Sequence, residues 1–96
     1  MTLEDAVKDI IVNFSSGKIF DSHVVIDELR SNSKYSTIYL HGTGKNEDIT
    51  NYHKRIAEII RDSGLVTAVQ DGNNDMMINT RNVHGCITPN HVWRRN

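Results

Sequence analysis

Disulfides, membrane spans and a strong charge bias are all missing from this sequence, and each absence removes a class of function. The one cysteine, Cys86, has no partner for an internal disulfide, which fits a reducing compartment and a structural thiol. No apolar run approaches the roughly 20 residues that a membrane helix needs, and the opening MTLEDAVKDI lacks the basic and then apolar layout of a secretory leader. The sequence therefore predicts a soluble, cytoplasmic protein with no membrane partner. The formal net charge is −1 and the sequence pI about 6.5, without the basic surplus that usually marks a nucleic-acid binder. No internal repeat or low-complexity stretch marks a linker, and charges of both signs are scattered, apart from a basic end at Arg94-Arg95. What is present is 96 residues, 38% of them hydrophobic, enough for one domain with a modest core and too few for two.

Periodicity divides the chain into three helices and a hairpin. Thr2, with Asp5 three residues on, caps a helix whose Leu3, Ala6, Val7, Ile10, Ile11 and Phe14 form one apolar stripe before Ser15-Ser16-Gly17 stops it. Lys18-Ile19-Phe20 is a short extended piece. Asp21 or Ser22 then caps a second helix with Val25, Ile26 and Leu29 inward, ended by Ser31-Asn32-Ser33. A third helix runs from about Asp48 to Ser63 on the stripe Ile49, Tyr52, Ile56, Ile59, Ile60, and Gly64 stands where helices commonly turn left-handed. Leu65 to Gln70 alternates, Asp71-Gly72-Asn73-Asn74 supplies turn chemistry, and Asp75 to Asn79 alternates again, which predicts a hairpin.

The run Arg55-Ile56-Ala57-Glu58-Ile59-Ile60-Arg61-Asp62-Ser63-Gly64-Leu65-Val66, followed by a Gly-Asn turn, resembles the recognition helix and wing of small winged-helix regulators. Gly17-Lys18-Ile19-Phe20 fits that fold's first strand. The resemblance covers roughly residues 3–80. It implies an α+β, mainly α, fold: a winged-helix-like three-helix domain with a C-terminal β-hairpin, on which residues 81–96 pack as a tail through Val83, Ile87, Val92 and Trp93. One departure stands out. Ser31 to Glu47 separates helices that a winged helix joins by a short turn, and Tyr35–Leu40 within it alternates like a strand. The insertion is read as β-prone, an extra strand or an extra short helix. If Ile38 and Leu40 instead pair with the hairpin as a central strand, the fold becomes a small α+β sandwich.

Chemistry-bearing motifs are weak. IYLHGTGKNE, Ile38–Glu47, first reads as a strand running into a phosphate loop, but a nucleotide loop needs G-x-x-x-x-G-K-[ST]; Tyr39 stands where the first glycine belongs and Asn46 where the hydroxyl belongs. A dinucleotide fingerprint fails too, for want of a third glycine, so no nucleotide and no cofactor are predicted. His84, Cys86 and His91 are weak metal candidates, since His84-x-Cys86-x4-His91 lacks the second ligand pair of a structural zinc site. The same three residues would centre a small enzyme, yet nothing specifies a nucleophile and base in one pocket, and the reading is of a protein that is not an enzyme.

What the winged-helix resemblance implies is DNA binding, as a small regulator. Thr50, Asn51, Lys54 and Arg55 lie on the polar face of the third helix, with Lys45 and Asn46 just ahead, residue types suited to base edges and phosphates. Arg94 and Arg95, with Arg81, could add a basic patch. Opposing this, Glu47 to Asp62 carries three basic residues against four acidic ones, Glu47 and Asp48 sit at the helix start, and Lys54 can pair with Glu58 at i, i+4. The alternative is a protein-interaction or homodimerisation module on the same scaffold, with Tyr35, Tyr39 and Trp93 as contacts; Trp93 has a competing place in the core.

Overall fold

In the computed structural model, which describes residues 1–81 and 85–96, the helices begin where local capping chemistry puts them. Thr2 and Asp5 exchange backbone-to-side-chain bonds of 3.1 Å each, closing a capping box on α1 (Leu3–Val12). Asp21 caps α2 (Ser22–Ser31) by accepting from Val24 N–H, and Asp48 caps α4 (Ile49–Arg61) by accepting from Asn51 N–H at 2.8 Å. Gly64 ends this helix with φ +78°, the left-handed conformation that a residue without Cβ adopts freely. The stripes predicted for the three helices meet in one core that includes Val7, Ile11, Val25, Leu29, Ile56 and Ile60.

The inserted segment is a helix, α3 (Ser36–His41), and not a strand. Strand alternation would place Ile38 and Leu40 on one buried face, but Leu40 is 70% exposed, whereas Tyr35 and Tyr39, one helical turn apart, are both buried. Two buried rings and the bond Tyr52 Oη donates to the Tyr39 carbonyl, 2.6 Å, outweigh the β-preference of the sequence. Gly42 follows α3 for a steric reason: a Cβ there would collide with the Tyr52 hydroxyl.

The predicted hairpin forms at its tip, Gln70–Asp71 against Asn74–Asp75, but its outer strands pair elsewhere. β1 (Ile19–Phe20), β2 (Val66–Ala68) and β7 (Trp93–Arg95) form an antiparallel sheet of order β1-β7-β2, with Phe20 opposite Trp93 and Ala68 opposite Trp93 on the other side. The C-terminal residues are thus the central strand of the domain, not a tail laid over a finished core. Of the predicted tail contacts, Val92 and Trp93 are buried, Ile87 is 64% exposed, and Val83 lies outside the described residues. This also rules out the sandwich, because the central strand comes from the C-terminus.

Two short hairpins branch from the sheet. β3 (Gln70–Asp71) and β4 (Asn74–Asp75) close over Gly72-Asn73, with Gly72 at φ +66°, while β5 (Met77–Arg81) pairs with β6 (Ile87–His91), Met77 opposite His91 and Arg81 opposite Ile87. The branches meet at a ring of three backbone bonds: Val69 N–H to the Val92 carbonyl, Val92 N–H to Met76, and Met76 N–H to Val69, at 2.9, 3.3 and 2.8 Å. Val69 and Val92 are buried at this junction. No helix among the described residues is long and apolar enough to cross a membrane.

Candidate functional site

The glycine loop ahead of α4 is tied down by that helix. Arg55 donates to both carboxylate oxygens of Glu47, at 3.0 and 2.8 Å, and to the Gly42 carbonyl at 2.6 Å, while Gly44 N–H donates to Glu47 at 2.8 Å. Asn46 turns the loop with φ +64°, a conformation Asn tolerates better than most residues. The Arg55 hydrogen bonds, and then that of Gly44, pull the Glu47 carboxyl down to about 2, and Glu47 in turn raises Arg55. A carboxyl depressed in the folded state stabilises above its unfolded value of about 4.5, and the contribution disappears as pH falls toward 2. In the Glu47→Gln protein the melting temperature should lose part of its fall across that window; identical profiles for the two proteins would refute the clamp.

Arg55 is therefore bonded to the loop, while its side chain stays 40% exposed. Arg95 is likewise engaged: its Nε donates to the Ile11 carbonyl at 3.0 Å and Nη1 to the Asn96 carbonyl, placing a cation at the C-terminal end of α1. Arg94 alternates away from buried Trp93, onto the outer face of the sheet beside exposed Ile19 and Thr67. Lys54, by contrast, lines a cavity together with Trp93 and Ala68, on the inner side. Arg81 is seven residues along the ladder from Arg94, on the order of 20 Å at strand rise, so the basic patch suggested for Arg81, Arg94 and Arg95 does not form. Lys45, Asn46, Thr50, Asn51 and Lys54 remain exposed around the start of α4.

The proposed partner contacts Tyr35, Tyr39 and Trp93 are core residues, 4, 8 and 6% exposed. Tyr35 donates to Asp9 at 2.5 Å, and Tyr39 pairs its hydroxyl with His53 Nε2 at 2.6 Å. With so few large apolar side chains in the chain, the folded state places these rings in the interior. Of the metal candidates, His84 lies outside the described residues, Cys86 is exposed, and His91 sits 4.0 Å from Asp75. Among the described residues no three or more His, Cys, Asp or Glu side chains gather to hold an ion.

A second feature had no signal in the sequence. Thr80, on β5, reaches the start of α2, where its hydroxyl lies 2.8 Å from Asp21 Oδ2 and 2.7 Å from His23 Nδ1 and accepts from Asn90 Nδ2 at 2.8 Å. A hydroxyl has one proton and two lone pairs; with that proton given to Asp21, both lone pairs receive, from Asn90 and from an Nδ1-protonated His23. The network fastens the β5–β6 hairpin across the open end of α2. Between hairpin, α2 and α4 it leaves two adjoining cavities of about 280 and 290 Å³, which share Ser22, Lys54, Ala57 and Asn90.

No family model, curated protein or solved structure matches this chain. The site is therefore characterised by its own geometry: a polar helix face, α4, bordered on one side by a bonded loop and on the other by a groove under a hairpin. Asp21 and Asn51 were legible as cap and helix-face residues. His23, Thr80 and Asn90 were not, because His23 is 57 residues from Thr80, and Thr80 and Asn90, 10 apart, form no spacing motif.

Proposed function

We propose that this chain is a winged-helix-like binding module that associates with duplex DNA through the polar face of α4. What carries the reading is the Glu47–Arg55 clamp. It neutralises one of the two acidic residues at the start of the helix, Asp48 being bonded as the N-cap, and it fixes the loop that presents Lys45 and Asn46 beside Thr50, Asn51 and Lys54. The element order supports it, with β1 between α1 and α2 and hairpins following α4. With so few free cations on this face, binding is weak and governed by salt. Anisotropy titration of a random duplex at low salt should show binding, and Lys45→Glu and Lys54→Glu should each flatten the slope of log K against log salt by about 0.9. Absence of binding at micromolar protein in low salt would sink the proposal.

The β5–β6 hairpin favours a second reading, as a protein-contact or dimerisation module. It exposes Met77, Ile78 and Ile87, at 46, 38 and 64%, on a two-stranded ribbon that has no further strand beside it among the described residues. Sedimentation over a range of concentrations distinguishes the two readings: a mass that rises with concentration, and stays constant in Ile87→Lys, supports the hairpin as a self-contact.

A further inference from the structure

The two edges of the β5–β6 ribbon are not equivalent. Val92 N–H donates to the Met76 carbonyl, so Met76 and Val92 are a directly bonded position, and alternation along the register makes Ile78–Asn90 and Thr80–Thr88 bonded pairs as well. The residues between them, Met77, Asn79 and Arg81 on β5 and Ile87, Pro89 and His91 on β6, therefore turn their backbone groups outward. On β6 that row is broken, because Pro89 has no N–H to offer, and Pro89 and His91 border the cavity against α4. On β5 it is complete, an N–H and a carbonyl at every second residue, and no further strand lies beside it among the described residues. Nor is this edge protected. Exposed strand edges are commonly blunted by lysine, proline or an inward charge. The one charge on β5, Arg81, turns back to its own hairpin and donates to the Gly85 carbonyl at 2.9 Å, while Met77 and Asn79 are exposed.

We infer that β5 is the edge through which two copies of this chain pair, antiparallel about a two-fold axis at Asn79, joining their ribbons into one four-stranded sheet. The inference rests on the self-contact reading of the hairpin and gives that contact its edge and register. What favours a second copy is self-complementarity, the condition for a two-fold contact. With Asn79 opposite Asn79 of the second copy, Met77 of each chain lies opposite Arg81 of the other, so every outward N–H meets an outward carbonyl and no like charges face one another. The two central asparagine side chains can bond each other, amide to carbonyl. Any other antiparallel register within the strand forfeits at least one of these bonded pairs. The contact is only a strand in length, at the low end of interface sizes, so association is weak and depends on concentration.

Sedimentation equilibrium of the whole chain over a wide range of concentrations tests it. The mean mass should rise with concentration, and Asn79→Lys or Asn79→Asp alone should raise the dissociation constant about fivefold, because each sets like charges opposite one another; an equal mixture of the two variants should restore it. Asn79→Pro should weaken association on the order of tenfold, since it removes the two central bonds and, its nitrogen facing outward, none within its own ribbon. Asn79 is exposed, so none of these variants touches the core. Ile87→Lys separates the inference from the reading beneath it, because it sets two cations opposite one another at the Arg81 pair and so tests the ribbon as a whole. Self-association that Ile87→Lys abolishes, but that the Asn79 variants leave unchanged or their mixture does not restore, would overturn the β5 edge and leave the hairpin self-contact standing. A monomer at every concentration would overturn both, and leave the edge to a strand from another protein.

Discussion

A chain ending at residue 81 is expected to lose cooperative folding altogether, although the resemblance to a winged helix spans only residues 3–80. The reason is β7. It lies between β1 and β2, so its removal leaves those two strands with no partner, and two isolated short strands have no stability in water. It also supplies Trp93, which packs on Phe20 with ring centroids 6.3 Å apart, and Arg95, which bonds the end of α1. The point variant Trp93→Ala should remove about 3–5 kcal/mol, the range for deleting a buried aromatic. For a domain of this size that is a fall in melting temperature on the order of 15–30 °C, out of a total stability of about 5–15 kcal/mol. Thermal unfolding followed by circular dichroism checks both. A cooperative transition in the truncated chain would show that the strand order given above is wrong.

The second large effect is expected at Tyr52, the largest fully buried side chain in the domain. Its ring stacks on Tyr39 at 5.2 Å and lies under Arg55, and its hydroxyl donates to the Tyr39 carbonyl, so one residue joins α4 to α3 and to the clamped loop. Burial pushes its hydroxyl up to about 12, which keeps it a neutral donor across the physiological range. Tyr52→Ala opens a cavity as well as breaking the bond, and should lower stability by about 3–5 kcal/mol. Tyr52→Phe keeps the ring and leaves the Tyr39 carbonyl with only the longer bond from the Gly42 N–H, at 3.3 Å, for about 0.5–1.5 kcal/mol. Denaturant unfolding of both variants measures the difference. Equal losses would mean the ring contributes nothing beyond the hydroxyl, and a phenylalanine variant as stable as the parent would contradict the bond to Tyr39.

Both predictions turn on contacts that the linear pattern does not contain. Tyr35 to Leu40 has the alternation of a strand, and an isolated six-residue helix has almost no stability of its own; α3 exists because Tyr35 and Tyr39 find Asp9, His53 and Tyr52 on other helices. Leu65–Gln70 and Asp75–Asn79 each alternate convincingly, yet alternation reports only that a segment is extended and half-buried. It says nothing of which strand lies alongside, and here β2 takes β7 while β5 takes β6. Arg55, Arg94 and Arg95 are equivalent as cations in the sequence. The fold gives one to a loop, one to the open face of the sheet and one to the end of α1.

The residues alone determined α1, α2 and α4, with their caps at Thr2, Asp21 and Asp48 and the glycine stop at Gly64, because a helix is written in contacts three and four residues apart. They also determined that one core would form from the stripes of those helices. The tertiary structure decided the helical state of the insertion, the central place of β7, the removal of Tyr35, Tyr39 and Trp93 from the surface, and the groove between the β5–β6 hairpin, α2 and α4. Each of these depends on partners brought together from distant parts of the chain, and burial and pairing with such partners outweigh local preferences of a few tenths of a kcal/mol per residue.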